Sequence, residues 1–119
     1  MSGALLALAA SVSGVQPLSA TIGAGQIISG GITADINFST NTVTPTGGVA
    51  PYTYAWSWIN TTGAATKTFS GSSTSVTVTP RFTGATAGTT NTGELRCQVT
   101  DSASNVFTTT TAYYEYEHI

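Results

Sequence analysis

The chain has 119 residues, 40% hydrophobic and only 7% charged, with a formal net charge of −2. That length fits one domain around one core, and so little charge beside so much apolar content excludes an intrinsically disordered chain. Lys67, Arg81 and Arg96 are the only basic side chains, too few to neutralise the several phosphates that carry nucleic-acid affinity, so neither a nucleic-acid nor a membrane partner is expected: no apolar run approaches the roughly 18 residues of a spanning helix.

The first segment, "MSGALLALAASVSG", differs from the rest. Residues 4–10 combine alanine and leucine, which favour helix, behind Ser2 as a candidate N-cap. Two turns of isolated helix are marginal in water, so this arm either packs on its own domain or docks into a neighbouring subunit. No Lys or Arg precedes the apolar run, which argues against a cleaved signal peptide. The expected organisation is an N-terminal arm, residues 1–19, followed by one β-sandwich domain, residues 20–119.

Beyond the arm, Gly, Pro, Ser and Asn interrupt segments rich in Thr, Val, Ile and Tyr, the pattern of successive strands. In "ITADINF", Ile32, Ala34, Ile36 and Phe38 alternate with Thr33, Asp35 and Asn37, which predicts one buried face. "NTVTPTGG" turns Val43 towards the same core, with Pro45 limiting pairing near its end. After Gly47-Gly48 comes "PYTYAWSW", where Tyr52, Tyr54, Trp56 and Trp58 share one strand face and Thr53, Ala55, Ser57 and Ile59 the other. Trp56 is expected between two sheets, with the tyrosines nearer the rim where their hydroxyls reach water or backbone.

"TKTFSG" and "SSTSVTVTP" follow, the second with Val76 and Val78 on one face, and "RFTGATAGTTNTG" reads as a polar surface connection. "ELRCQVTD" alternates Leu95, Cys97 and Val99 inward with Glu94, Arg96 and Gln98 outward, "DSASN" is a turn, and "VFTTTTAYYEYEHI" closes the series as a long last strand. Some seven strands with turns every 8 to 12 residues and no helical crossover predict an all-β, antiparallel two-sheet sandwich.

Two stretches carry a resemblance. "GGVAPYTYAWSW" resembles the Gly-Gly-x-x-Pro-Tyr-x-Tyr-x-Trp segment that opens the third strand of PKD-like immunoglobulin-fold domains, and "ELRCQVTDSASN" is similar to their later strand ending in Val-Thr-Asp-Ser. The resemblance covers residues 35–112 and implies fold before function. It places Trp56 at the core tryptophan and Cys97 at the cysteine of the later strand. The position of a partner cysteine falls near Val43, and Leu95 stands where a tyrosine is often found, so the disulfide of antibody-type domains is absent. Val43, Tyr54, Trp56, Val76, Val78, Leu95, Cys97 and Val99 are the expected core.

Groups with chemistry in them are few. Cys97 is the only cysteine and His118 the only histidine, one residue from the end, so an acyl-transfer triad has no base where it needs one; Cys97 reads as a small buried hydrophobe and His118 as a solvated terminal residue. Glu115 and Glu117 share a face and read as an edge-protecting pair. No CxxC, HxxxH or D-x-D-x-D spacing is present, and calcium would need backbone carbonyls beside Asp101. "GAGQIISGG" lacks the lysine of a phosphate loop. An internal lysine–asparagine amide crosslink would have to use Lys67. The chain is therefore expected not to be an enzyme and to need no cofactor or metal.

Small Thr/Ser/Gly-rich proteins with this pair of motifs resemble immunoglobulin-like virion components of tailed bacteriophages. That implies a noncatalytic structural protein, made in the host cytoplasm and carried on the virion, decorating or cementing the capsid or tail. Its expected partners are other virion subunits, whether major capsid or tail protein, and copies of itself. Leu5, Leu6, Leu8, Tyr113, Tyr114 and Tyr116 are the candidate assembly contacts. The alternative is a carbohydrate-binding or host-adhesion module that stacks a surface glycan on Trp58, Tyr113, Tyr114 and Tyr116.

Overall fold

The structure, a computed structural model, describes residues 15–119; the expected N-terminal helix, its Ser2 cap and the contacts assigned to Leu5, Leu6 and Leu8 lie outside those residues. Among the described residues the chain forms ten strands: β1 (Ser19–Ile22), β2 (Gln26–Gly30), β3 (Ile36–Asn37), β4 (Asn41–Thr46), β5 (Thr53–Thr62), β6 (Thr66–Ser70), β7 (Thr77–Thr83), β8 (Thr90–Thr100), β9 (Val106–Thr108) and β10 (Ala112–His118). They make the two packed sheets of an immunoglobulin-like sandwich. In one sheet β8 is flanked by β5 along one side and by β9 and β10, end to end, along the other, with β2 outside β10. In the second sheet β1 pairs with β4, β3 and β4 run end to end along β7, and β6 lies on the far side of β7.

Ten strands replace the seven or so expected, chiefly because the stretch before "ITADINF" and the stretch after "DSASN" are each broken in two for a local reason. Between β1 and β2 the chain changes sheets: Asn41 clamps the crossing, its Oδ1 accepting from the Gly23 N–H at 2.7 Å and its Nδ2 donating to the Gly23 carbonyl at 3.0 Å. Between β9 and β10, Thr109 takes over the ladder: its N–H donates to the Cys97 carbonyl at 3.0 Å and its hydroxyl accepts from the Cys97 N–H at 3.1 Å. Between β3 and β4, the Phe38 N–H donates to the Pro80 carbonyl at 2.9 Å, holding the buried Phe38 ring inward. The change of sheets also corrects the expectation of purely antiparallel pairing, because it delivers β2 parallel to β10, from Tyr114 opposite Gln26 to His118 opposite Gly30.

Val43, Trp56, Val78, Leu95, Cys97 and Val99 are buried, and Tyr54 is half-buried against them. Val76 is not in the core. It is 45% exposed because β7 begins only at Thr77, and Val76 instead offers its carbonyl to the Val43 N–H at 3.0 Å. Ile32 and Ala34 are likewise exposed, since the strand there is confined to Ile36–Asn37.

The ring cluster is larger than the "PYTYAWSW" face suggests. Phe38 meets Phe82 and Tyr114 edge-on with centroids 4.9 and 5.0 Å apart, and Trp58 meets the same two at 5.4 Å each while stacking on Phe69 at 5.8 Å. Phe82 is fully buried, so "RFT" is not surface connection: Arg81 to Thr83 complete β7. Gly93 makes room for this cluster, since a Cβ there would stand 2.9 Å from Trp58 Cε3.

Candidate functional site

The residue types that could perform chemistry are each absorbed by the fold. Cys97 is buried opposite Trp56 on β5, and burial pushes its thiol up to about 11, far from a reactive thiolate. Cys97 is therefore expected to resist alkylation by iodoacetamide at pH 8 in the folded protein and to react fully in urea; a native rate approaching the unfolded one would mean the thiol is accessible. His118 is buried, not solvated as its position in the sequence suggests, because β2 and the 84–89 loop close over the end of β10. Its backbone N–H donates to the Thr89 carbonyl at 2.9 Å and its carbonyl accepts from Gly88 at 2.8 Å.

The Asp101 carboxylate ties the "DSASN" turn to the "GGVAP" loop. Oδ1 accepts from the Ala103 and Asn105 N–H groups at 3.0 and 2.8 Å, and Oδ2 accepts from the Val49 N–H and Asn105 Nδ2, both at 3.0 Å. The Asn105 side chain first, and then the backbone donors, hold this carboxyl below the usual range. Four N–H donors around its oxygens describe a turn lock, not a cation ligand. Among the described residues, no group of three His, Cys, Asp or Glu side chains is placed to hold a metal ion.

Lys67 closes the turn between β5 and β6, donating to the carbonyls of Thr62, Gly63 and Ala65, with Nζ 5.3 Å from the centre of the Phe82 ring. Among the described residues, no asparagine side chain is hydrogen-bonded to it, and the buried Asn91 carboxamide is taken up by Ala65, Thr89 and Tyr116.

The candidate contact tyrosines separate by strand face. Tyr114 and Tyr116 are buried core residues, which corrects their assignment to an assembly interface or a glycan platform. The Tyr114 hydroxyl accepts from Asn41 Nδ2 at 2.9 Å, and the Tyr116 hydroxyl donates to the Ile32 carbonyl at 3.0 Å. Trp58 is half-buried among rings and donates its indole N–H to the Thr68 carbonyl at 3.2 Å. Only Tyr113 faces solvent, 45% exposed, its hydroxyl bonded to Glu115 Oε1 at 2.7 Å. Glu115 and Glu117 protect no edge either, because β10 is paired on both sides.

What remains outward is two sheet faces of different character. On the β1–β4–β7–β6 sheet every outward position is Thr or Ser except Asn37 and Arg81, which bond each other at 3.0 Å, while Arg81 also pairs with Asp35 at 3.5 Å. The opposite sheet carries the remaining surface charges, Glu94, Arg96, Glu115 and Glu117, together with the exposed Ile27, Val106 and Tyr113. Beside it, an open groove of about 400 Å³ runs between residues 15–18 and Val106, with Gly48 and Asn105 in its wall. No helix among the described residues is long and apolar enough to cross a membrane. No family model matches the chain, and comparison with curated proteins and with solved structures also finds no match.

Proposed function

We propose that this chain is a noncatalytic structural subunit of a tailed-phage virion, decorating or cementing the capsid or tail through contacts with other virion subunits and with copies of itself. The observation that carries this reading is that the large rings the sequence offers as ligand platforms are spent on the chain's own core: Trp56, Tyr114 and Tyr116 are buried and Trp58 is half-buried. A rigid sandwich is left with broad sheet faces as its means of contact. The motif pair "GGVAPYTYAWSW" and "ELRCQVTDSASN" supports the phage assignment by resemblance.

The mechanism is burial of contact area at subunit joints. A standard joint buries about 1,600 Å² in total, and joints repeated over a symmetric shell or tube reinforce one another through effective concentration. A chain with only 7% charged residues offers little repulsion between crowded copies. The apolar leucines of the N-terminal arm are the proposed anchor. Deleting residues 1–13 is expected to abolish attachment to particles while the sandwich retains its cooperative thermal unfolding. Normal decoration by the truncated chain would remove the arm from the mechanism.

A further inference from the structure

Arg96 stands at the centre of an open sheet face. On one side its strand neighbour is Ser57 of β5; on the other lies the break between β9 and β10. Among the described residues its half-buried guanidinium makes neither an ion pair nor a hydrogen bond. Glu94 lies two residues earlier on the same face of β8, level with Tyr113 of β10. Apolar side chains surround this pair at a distance: Ile27 is 64% and Val106 56% exposed. A half-buried guanidinium without a carboxylate of its own chain, on a sheet face that also carries exposed hydrophobes, is suited to meet a carboxylate from outside the chain.

We propose that the outer face of the β5–β8–β9/β10–β2 sheet is a self-association surface, on which two copies of this chain pack face to face through reciprocal Arg96–Glu94 ion pairs. A two-fold axis lying in the interface, perpendicular to the strands and level with Leu95, makes the contact isologous. It sets Arg96 of each copy over Glu94 of the other. The same axis turns the surplus carboxylates away from each other. Glu115 is level with Thr92, three residues on one side of Leu95, and Thr108 is level with Gln98, three residues on the other. Each Glu115 therefore meets Thr108 of the second copy, and by the same count Glu117 meets Val106.

Charge decides between a second copy and a basic partner. A lysine- or arginine-rich surface suits Glu115 and Glu117 but drives like charge onto Arg96 at the centre of the face. A second copy gives Arg96 a carboxylate, and Glu94, whose Oε1 already accepts from Asn60 Nδ2 at 3.1 Å, keeps lone pairs to accept from it. Area is sufficient as well: the three strand columns that overlie each other, β5, β8 and β9/β10, each about 4.8 Å wide along an eleven-residue β8, span roughly 500 Å² per copy. The pair then buries on the order of 1,000 Å², the lower bound of specific interfaces. This dimer does not depend on the virion reading, and failure of the arm deletion leaves it untouched.

Sedimentation equilibrium on the full chain is expected to show a monomer–dimer equilibrium with Kd below about 1 mM, weakening as salt is raised from about 0.05 to 0.5 M. Arg96→Glu and Glu94→Arg should each raise Kd at least tenfold. Mixed in equal amounts, the two variants should form a heterodimer, because one copy then presents two carboxylates to two guanidinium groups. Thr44→Lys, on the hydroxyl face, should change nothing. A chain that stays monomeric to about 1 mM overturns the proposal, as does a mixture that forms no heterodimer from folded variants. So does a Thr44→Lys effect equal to that of Arg96→Glu, or a monomer that binds a lysine-rich peptide through Glu115 and Glu117.

Discussion

Replacing Trp56 by alanine is expected to lower the free energy of unfolding by about 3–5 kcal/mol, a large share of the 5–15 kcal/mol that stabilises a typical domain. The residue does three things at once. Its ring is buried between the sheets, level with Cys97 on β8, and removing it leaves a cavity that two hydrogen-bonded sheets cannot collapse to fill. Its indole N–H donates to the Ser75 carbonyl at 2.8 Å, and its backbone N–H donates to the Ser73 carbonyl at 2.9 Å. Backbone and side chain together thereby hold the 71–76 loop along the free side of β5, the long edge strand of its sheet, the indole fastening its Ser75 end, and the loop shields part of an edge that would otherwise template pairing with another chain.

Trp56→Phe separates these roles, since it keeps most of the apolar contact but leaves the Ser75 carbonyl without its donor, at about 1–2 kcal/mol. Urea unfolding of both variants, with limited proteolysis of the 71–76 loop, tests the assignment. A loss below about 1 kcal/mol for Trp56→Ala, with the loop still protected, would show that the ring does not hold the sandwich together.

The sequence discloses the fold where alternation is long and uninterrupted. Along β8, Leu95, Cys97 and Val99 point inward and Arg96 and Gln98 outward, and a strand paired on both sides has no freedom to shift phase. It conceals the fold where a local rule and a tertiary contact disagree. Pro80 suggests an end to pairing, yet β7 runs on through it because its carbonyl still accepts from Phe38, and Phe82 consequently reaches the core from a stretch that reads as loop. Tyr114 and Tyr116 read as contact aromatics in a tyrosine-rich end. The period-two placement of Tyr113, Glu115 and Glu117 was the available signal, since three outward polar positions require the residues between them to face in. His118 belongs to that inward series, which its nearness to the chain end disguised.

The proposed interaction face is legible only after the strands are placed in register. Glu94 and Arg96 are read from "ELRCQ" as outward residues on one strand, but nothing local shows that Arg81 is neutralised by Asp35 while Arg96 is left without a carboxylate. That difference depends on Asp35 and Arg81 being brought together across 46 residues of chain, 81 − 35, by the pairing of β3 with β7. Likewise the hydroxyl character of the other sheet emerges from Thr and Ser on four separate strands falling on one side. A two-faced sandwich of this kind has one surface well solvated by hydroxyls and one bearing unpaired charge and apolar side chains, so the expected order of attachment is through the second.

Gly25→Ala is expected to be the most damaging change to a glycine at a sheet crossing. A Cβ at Gly25 would stand 1.7 Å from the Tyr113 carbonyl oxygen, 2.5 Å from its carbon and 2.7 Å from its nitrogen. These are backbone atoms of β10, which is held by β8 on one side and β2 on the other, so the clash is relieved only by moving β2 away. Overpacking that can relax costs about 1–3 kcal/mol; this one should cost about 3 kcal/mol or more, or detach β2. The far end of β2 is fastened separately, by the Ile32 N–H donating to the Tyr116 hydroxyl at 2.8 Å and by the Ile119 N–H donating to the Gly30 carbonyl at 2.8 Å. Loss should therefore begin at Gln26 and fade towards Gly30. Amide hydrogen exchange reads that gradient directly, with Gly31→Ala as its control, since a Cβ there meets nothing within 4 Å. Should Gly25→Ala leave the Gln26–Gly30 amides as protected as Gly31→Ala does, the parallel seating of β2 against β10 is not the close contact that ends the crossing between sheets.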